Sequence, residues 1–250
     1  MEKLKKPPDP PALQSASVHV WSVGQEIIGG FRQADAFFLN ADERDRLARY
    51  RFAADRARFG AGRAALRLLL GRYAGVDPAA VDFATTRYGQ PMPVPCSPAS
   101  ALSFSVSHSG GRVLLAFSRG IRVGIDVERV REDVDIAGIA RRYFAPLEIE
   151  GLLSLPDDRR VEAFFAVWTR KEAYLKARGE GLSCPLSSFA VSAGPDEPPQ
   201  FISLPSGVSP TDWTLRDIDA GSGYRAALAV NHPSPQVSCH NFQSGLPAIR

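Results

Sequence analysis

The stretch between residues 102 and 128 constrains the fold most strongly, because it contains three apolar segments separated only by short turns. In the first segment Leu102, Phe104 and Val106 alternate with serines, and this period of two is typical of a strand with one buried face. A Ser-Gly-Gly turn and a Ser-Arg-Gly turn separate the three segments. We therefore predict three consecutive strands, over residues 102–107, 112–117 and 121–128.

A helical region precedes these strands. Asn40 followed by Glu43 resembles a capping box and predicts a helix start. Apolar residues with helical spacing continue from there through an arginine-rich segment: Leu47, Tyr50, Ala54, Ala57, Ala61, Ala64 and Leu68. The spacing leaves open whether the segment forms one helix or two helices joined near residues 52–55.

A second helix is predicted after the strands, over residues 161–178, with Gly179 as its C-terminal cap. A last pair of strands is predicted at residues 213–217 and 224–230. Helices laid against antiparallel strands make this a mixed α+β (mixed α/β) chain.

Composition excludes several classes of protein. The 250 residues are 44% hydrophobic and 23% charged, which is typical of a globular chain. No apolar run reaches the roughly 18 residues of a membrane helix, and the start lacks the apolar stretch of a signal peptide. Three widely spaced cysteines support neither a disulfide framework nor a zinc site. We therefore expect a cytoplasmic protein with a disordered leader (1–17), a surface loop (193–212) and a loose tail (231–250).

The net charge of +3 conceals two regions of opposite charge. Residues 44–72 contain nine arginines and two acids, whereas residues 126–162 contain ten acids and six arginines. Arg44, Arg51 and Arg58 are spaced by seven and are expected to share one helical face. Such a block is usually a solvated surface, but it also suits nucleic acid, an acidic partner protein or a phosphorylated small molecule. The small net charge and the lack of a recognisable motif disfavour nucleic acid.

Two acids lie on the third predicted strand, in the sequence Gly-Ile-Asp-Val-Glu. Ile125 and Val127 take one face of the strand, so Asp126 and Glu128 share the other, with Cα atoms about 7 Å apart. Two carboxylates at that spacing repel each other unless a cation or solvent lies between them. Mg²⁺ suits the pair because it takes oxygen ligands. The alternative is a solvated strand face with charges of both signs.

The predicted second helix carries an acid in an unexpected place. Phe165, Trp168, Glu172 and Leu175 fall on one side of it, so Glu172 is expected within the core-facing stripe. A carboxylate there is costly unless it is paired or bound to a metal. The alternative is an ordinary ion pair with Lys176, four residues further on.

One histidine, His108, is predicted at the end of the first strand, in the sequence Ser-His-Ser-Gly-Gly. Most histidines in such positions are core or strand-end residues. No Ser/His/Asp triad, Cys nucleophile, P-loop or GxGxxG sequence is found in the chain.

Taken together, these segments resemble the Sfp-type 4′-phosphopantetheinyl transferases. The similar segments are FSVSHSGGRV (104–113), VGIDVERV (123–130) and WTRKEAYLKARGEGL (168–182), flanked by TTRYGQP (85–91) and PLSSF (185–189). The last of the three is the most specific. The resemblance covers about residues 18–230. It implies two similar α+β halves about a pseudo-two-fold axis, residues 18–119 and 120–230, with coenzyme A between them.

The resemblance also implies a set of site residues on the C-terminal half. Asp126, Glu128 and Glu172 would hold Mg²⁺ together with pyrophosphate oxygens of coenzyme A, and Lys176 would reach the pyrophosphate. Glu172 is the expected general base, and a share of that role for Asp126 stays open.

The expected nucleotide contacts come mainly from the N-terminal half. The residues implied are Arg46, Arg58, Gln90, Ser107 and His108. Two positions depart from the family pattern, because Glu43 and Gln90 stand where basic residues are expected. Arg44 and Arg87 are near enough in the sequence to compensate.

The implied reaction moves the phosphopantetheine arm of coenzyme A to a serine of an apo acyl, peptidyl or aryl carrier domain and releases 3′,5′-ADP. The expected partners include neither nucleic acid nor membrane, and a monomer is expected. An alternative is a degenerate homologue that binds carrier domains without transferring the arm. Carrier domains are generally acidic, so Arg44 and Arg51 are candidates for a docking face.

Overall fold

The structure is a computed structural model that describes residues 11–32, 36, 38–85, 91–94, 97, 99–179, 184–194 and 197–242. The helices are α1 (Gln25–Gly30), α2 (Ala41–Arg49), α3 (Ala53–Ala74), α4 (Ile136–Tyr143), α5 (Pro146–Leu153) and α6 (Asp157–Arg178). The strands are β1 (Ser17–Val23), β2 (Phe83–Thr85), β3 (Pro91–Pro93), β4 (Leu102–Ser109), β5 (Arg112–Arg119), β6 (Val123–Arg129), β7 (Ala190–Val191), β8 (Phe201–Ser203), β9 (Thr214–Asp217), β10 (Tyr224–Val230) and β11 (Gln236–Asn241).

Two sheets organise the molecule. The first has the strand order β11-β1-β5-β4, and the second has the order β6-β10-β9. The two 22-residue helices are divided between them: α3 contacts β1 and β5, while α6 contacts β6 and β10. This confirms the predicted mixed α+β class with two halves. The predicted strands and the second helix are all present, with ends that differ by a few residues.

The arginine-rich segment forms two helices, which settles the alternative that the sequence left open. Helix α2 begins after Asn40, whose side chain accepts the Glu43 N–H while the Glu43 carboxylate accepts the Asn40 N–H, as the capping box predicts. The backbone then becomes extended at Tyr50 and Phe52, before α3 begins. Because of this break, the expectation that Arg44, Arg51 and Arg58 share one helical face is wrong.

The predicted loose tail, residues 231–250, is corrected by a strand within it. Strand β11 pairs in parallel with β1, from Gln236 opposite Ser17 to Asn241 opposite Ser22. Phe242 follows with only 6% of its surface exposed, in the core beneath the first sheet. The prolines suggested a loose segment. The segment is ordered because its main chain pairs with the free edge of β1 and because Phe242 is buried.

Two other expectations change in detail. The predicted leader at residues 1–17 overlaps β1 at Ser17, and residues 1–10 lie outside the described part of the chain. The predicted surface loop at residues 193–212 contains β8 and a 3₁₀ turn, Pro210–Asp212. Within the described part of the chain, the helices include none with the length and apolarity that a membrane crossing requires.

Strand β6 and helix α6 pack closely against each other. A Cβ atom on Gly124 would lie 2.1 Å from the Ala173 carbonyl oxygen and 2.3 Å from the Ala177 nitrogen, so only glycine allows this approach. The Gly-Ile-Asp-Val-Glu strand thereby runs against the helix that carries Glu172 and Lys176.

A buried ion pair holds α6 on its other side. The Lys171 ammonium lies 2.6 and 2.7 Å from the two Glu148 carboxylate oxygens and 2.6 Å from the Phe189 carbonyl oxygen. Both charged side chains are completely buried. Glu148 also accepts the Val191 N–H, so this pair joins α5, α6 and β7.

Candidate functional site

One pocket of about 450 Å³ brings together all the predicted site residues that the structure describes. Its wall is formed by α2 and α3 on one side, by β4 in the middle, and by β6 and α6 on the other side. The predicted residues in the wall are Arg46, Arg58, Ser107, His108, Asp126, Glu128, Glu172 and Lys176. Gln90, the remaining one, lies outside the described residues, as does Arg87.

The acidic side of the pocket is centred on Asp126, which is only 4% exposed. Its Oδ1 accepts hydrogen bonds from the Ser107 hydroxyl and the Lys176 ammonium, each at 2.7 Å. Its Oδ2 is buried and has no partner among the described residues. A buried carboxylate oxygen without a donor is costly, so this atom is available to a ligand.

Burial and neighbouring charges shift the pKa values of the other two carboxylates. Burial raises the pKa of Glu172, and the negative charges of Asp126 and Glu128 raise it further, while Lys176 opposes them. Burial likewise raises the pKa of Glu128, with the Ser109 hydrogen bond opposing and Asp126 adding to the rise. Crowded carboxylates of this kind favour a proton or a cation between them.

The position of Glu172 corrects the sequence expectation. Trp168, Glu172 and Lys176 are partly exposed and line the pocket, whereas their neighbours on α6 are buried. Glu172 therefore lies on the pocket-facing stripe and not within the core-facing one. Lys176 bonds to Asp126 on β6, so the helix ion pair proposed as an alternative is not its main contact.

The basic side of the pocket comes from the arginine-rich segment. Arg46 lies over the Phe59 ring, and Arg58 donates to the Gly110 carbonyl oxygen at 2.9 Å and pairs with Asp55. His108 stands at the end of β4 between the two sides of the pocket. Desolvation by the pocket wall lowers the pKa of His108, and the charge of Arg58 lowers it further. This surface is therefore suited to an anion.

Comparison with known proteins assigns the chain to one family. A family model for the 4′-phosphopantetheinyl transferase superfamily matches residues 122–229, and a model for the N-terminal part of 4′-phosphopantetheinyl transferases matches residues 31–119. The 4′-phosphopantetheinyl transferase HetI of Nostoc sp. (strain PCC 7120 / SAG 25.82 / UTEX 2576) is 37% identical over 91% of this chain and 92% of its own length. The chain belongs to the Sfp-type 4′-phosphopantetheinyl transferases.

A second relative supports the same assignment. The 4′-phosphopantetheinyl transferase Sfp of Bacillus subtilis (strain 168) is 32% identical over 78% of this chain and 84% of its own length. The protein is accordingly an enzyme, a 4′-phosphopantetheinyl transferase that acts on carrier proteins. Its family typically uses Mg²⁺ and coenzyme A.

The structure explains one departure from the phosphopantetheinyl transferase pattern. Glu43, at a position expected to be basic, is 6% exposed and turns inward. Besides closing the capping box, its carboxylate accepts from the buried Arg67 guanidinium at 2.6 Å. The acid therefore serves as an internal counter-ion and does not line the pocket.

Arg63 is a pocket residue that no sequence motif indicated. Its guanidinium lies between the rings of Phe59 and Phe83, at 5.4 and 4.8 Å, and 3.5 Å from a Glu43 oxygen. The side chain is 11% exposed, and its Nη1 is buried without a hydrogen-bond partner among the described residues. Burial lowers the pKa of Arg63 to about 10, with Glu43 opposing. The arginine density of the segment was the only available signal.

Proposed function

We propose that this enzyme transfers the 4′-phosphopantetheine arm of coenzyme A to a serine hydroxyl of an apo carrier domain, with Mg²⁺, and releases 3′,5′-ADP. The observation that carries the proposal is the division of one pocket into an acidic side and a basic side. Asp126, Glu128 and Glu172 line one side, which suits a cation, while the arginines line the other side, which suits an anion. A magnesium-bound nucleotide presents both.

The residues of the acidic side fit Mg²⁺. Asp126 offers a buried oxygen without a donor, and Glu128 and Glu172 offer oxygens whose ionisation a cation would favour. Among the described residues, no group of three or more His, Cys, Asp or Glu side chains is arranged to hold a metal alone. Mg²⁺ usually binds through one or two carboxylates plus substrate phosphates, so the coenzyme pyrophosphate completes the set. When bound, the ion neutralises charge that develops on the phosphates.

The residues of the basic side fit the nucleotide. Arg46, Arg58 and His108 are proposed to bind the 3′-phosphate, and Arg63 adds a guanidinium with an unused N–H. Lys176, at the opposite side of the pocket, supplies a point charge for the pyrophosphate. Gln90 is proposed as a further coenzyme contact by resemblance alone.

Glu172 is proposed as the general base. The carrier serine oxygen attacks the phosphorus that bears the pantetheine arm and passes its proton to the Glu172 carboxylate. The bond from that phosphorus to the bridging oxygen breaks, and the electron pair leaves with 3′,5′-ADP. Glu172 suits this role because its partly exposed side chain lines the pocket beside the proposed cation site. Asp126 is less suited, because one of its oxygens already holds Ser107 and Lys176.

Mass spectrometry of apo carrier domains provides the test. Acyl, peptidyl and aryl carriers are incubated separately with the enzyme, coenzyme A and Mg²⁺, and one carrier type should gain the mass of one phosphopantetheine arm. The carrier Ser→Ala variant and a chelated reaction are the controls, and neither should gain mass. Carriers that bind the enzyme but never gain mass would support the binding-only alternative instead.

A further inference from the structure

We propose that Ser107 and Ser109 are positioning residues, which fix the Asp126 and Glu128 carboxylates in the orientation that a cation requires. The inference rests on the proposed function, since it concerns the same acidic side of the pocket. It assigns to the N-terminal half, which carries both serines, a direct part in shaping a metal site on the C-terminal half.

The two sheets meet at their edge strands, β4 and β6, through serine side chains. Three serine hydroxyls of β4 each accept one main-chain N–H of β6. The three contacts are Ile125 N to Ser105 Oγ (3.1 Å), Val127 N to Ser107 Oγ (3.3 Å) and Arg129 N to Ser109 Oγ (3.1 Å). Both strands advance by two residues per contact, so they run in the same direction. Hydroxyl oxygens thus take the place of the carbonyl acceptors that β6 would find in a continuous sheet.

Each hydroxyl also has one proton to donate. The Ser107 hydroxyl donates to Asp126 Oδ1, and the Ser109 hydroxyl donates to Glu128 Oε2, both at 2.7 Å. Distances this short are typical of hydroxyl donors to charged carboxylates. Each serine therefore holds a main-chain N–H and the carboxylate of the residue just before it.

Ser105 makes the same main-chain contact but faces no carboxylate. The residue that precedes Ile125 is Gly124, which has no side chain. Ser105 is 8% exposed and Ser107 is 7% exposed, so the two positions are equally buried. The chain therefore contains a natural internal control, in which joining the sheets is separated from orienting a carboxylate.

The consequence for Asp126 is that its two oxygens become different. Ser107 and Lys176 both bond to Oδ1, and Oδ2 is left buried without a partner in the pocket wall. Without the Ser107 donor, Lys176 alone would hold Oδ1, and the Val127 N–H would lose the hydroxyl acceptor beside the carboxylate. Ser107 therefore selects the oxygen that is offered to the cation.

The experiment compares four variants: Ser105→Ala, Ser107→Ala, Ser109→Ala and Ser107→Thr. Binding of Mn²⁺, as a probe for Mg²⁺, is measured from the free-ion electron paramagnetic resonance signal, with and without coenzyme A and corrected for the coenzyme alone. Thermal unfolding is measured on the same samples. Loss of a group that orients a metal ligand typically weakens metal binding by 10- to 100-fold.

We expect Ser107→Ala and Ser109→Ala to weaken Mn²⁺ binding by about 10- to 100-fold. Ser105→Ala should lower the unfolding temperature and leave Mn²⁺ binding unchanged, and Ser107→Thr, which keeps the hydroxyl, should restore most of the binding. Ser109 is partly exposed, so its alanine variant tests the proposal even if Ser107→Ala does not fold.

Equal Mn²⁺ affinity in Ser105→Ala, Ser107→Ala and Ser109→Ala would overturn the proposal, and so would a wild-type protein that binds no Mn²⁺. A wild-type protein that binds Mn²⁺ and transfers no arm contradicts the proposed function only, because the comparison of the serine variants does not depend on turnover.

Discussion

The Lys176 ammonium lies 2.7 Å from Asp126 Oδ1, and this contact joins the C-terminal part of α6 to the middle of β6. The pair is nearly buried, with side chains 13% and 5% exposed. It places a positive charge among three carboxylates, where it lowers the pKa of both Glu172 and Glu128. The lysine is therefore part of the acidic side of the pocket, besides the phosphate contact that we propose for it.

Replacing Lys176 by Gln should shift the acid limb of the pH profile of kcat/KM to higher pH. The sign follows because Lys176 lowers the pKa of Glu172, so its loss raises that pKa and leaves the base protonated over a wider range. Loss of a charged hydrogen bond should also reduce kcat/KM at neutral pH by about 10- to 100-fold. Lys176→Arg keeps the charge and should retain the wild-type limb. A Gln variant with an unshifted limb would contradict this assignment.

Glu172→Gln should reduce kcat by about 10²- to 10⁴-fold while making the protein more stable at neutral pH. The folded state raises the pKa of Glu172 above 4.5, so the wild type loses stability as the pH rises from 4.5 through that raised pKa. Gln has no ionisation to lose. In thermal unfolding from pH 4 to 8, the unfolding temperature of the variant should exceed that of the wild type only at the upper end of the range. Addition of Mg²⁺ with coenzyme A should remove this difference in unfolding temperature. A constant difference at all pH values would refute the electrostatic explanation.

Arg63→Met should raise the KM for coenzyme A by about 10- to 100-fold, because it removes the guanidinium that we propose contacts the 3′-phosphate. With dephospho-coenzyme A, which lacks the 3′-phosphate, the wild type and the variant should have the same KM. Arg56→Ala is the matched control, since Arg56 is exposed and contacts the Tyr50 carbonyl oxygen outside the pocket. An equal rise in KM with coenzyme A and with dephospho-coenzyme A would show that Arg63 does not contact the 3′-phosphate.

Lys171→Met should lower the free energy of unfolding by about 3–5 kcal/mol, because Glu148 would remain buried without its counter-ion. Urea unfolding provides the measurement. The double variant Lys171→Met with Glu148→Gln should recover part of the loss, since the uncompensated charge is gone. A single variant as stable as the wild type would show that the pair contributes little.

Arg51→Glu should raise the KM for an acidic carrier domain and leave the KM for coenzyme A unchanged. Arg51 is exposed beside Phe52, which is itself 63% exposed, so reversal of its charge alters a surface without disturbing the core. Arg216→Glu, on β9, makes the same change of net charge at a site that does not line the pocket. If both substitutions raised the KM for the carrier equally, the effect would come from the overall charge of the protein and not from a docking face at Arg51.

Local pattern was sufficient for much of the fold. Alternation of apolar and polar residues predicted β4 and β6, because a period of two reports directly on which side of a strand is buried. The apolar run between two turns predicted β5. Asn40 and Glu43 predicted the start of α2 for an equally local reason: both halves of a capping box lie within one turn. The residue types of the site were visible too, since carboxylates on an apolar strand and an apolar helix are conspicuous.

Strand β11 was not visible, because its order comes from distant residues. Gln236 pairs with Ser17, which lies near the other end of the sequence. The residues around Gln236 do not indicate that β1 offers a free edge. The inward role of Glu43 was hidden for a similar reason, since its counter-ion Arg67 lies two dozen residues away.

The sequence by itself determined which chemical groups this protein has, and only the tertiary structure decided which groups meet. Lys171 and Lys176 are the same residue type on one helix, five positions apart. One is buried against Glu148 in the core, and the other bonds to Asp126 in the pocket. Their roles depend on how α6 is rotated against β6, which the close approach at Gly124 sets. That rotation arises from the packing of two elements, so neither element's own sequence contains it.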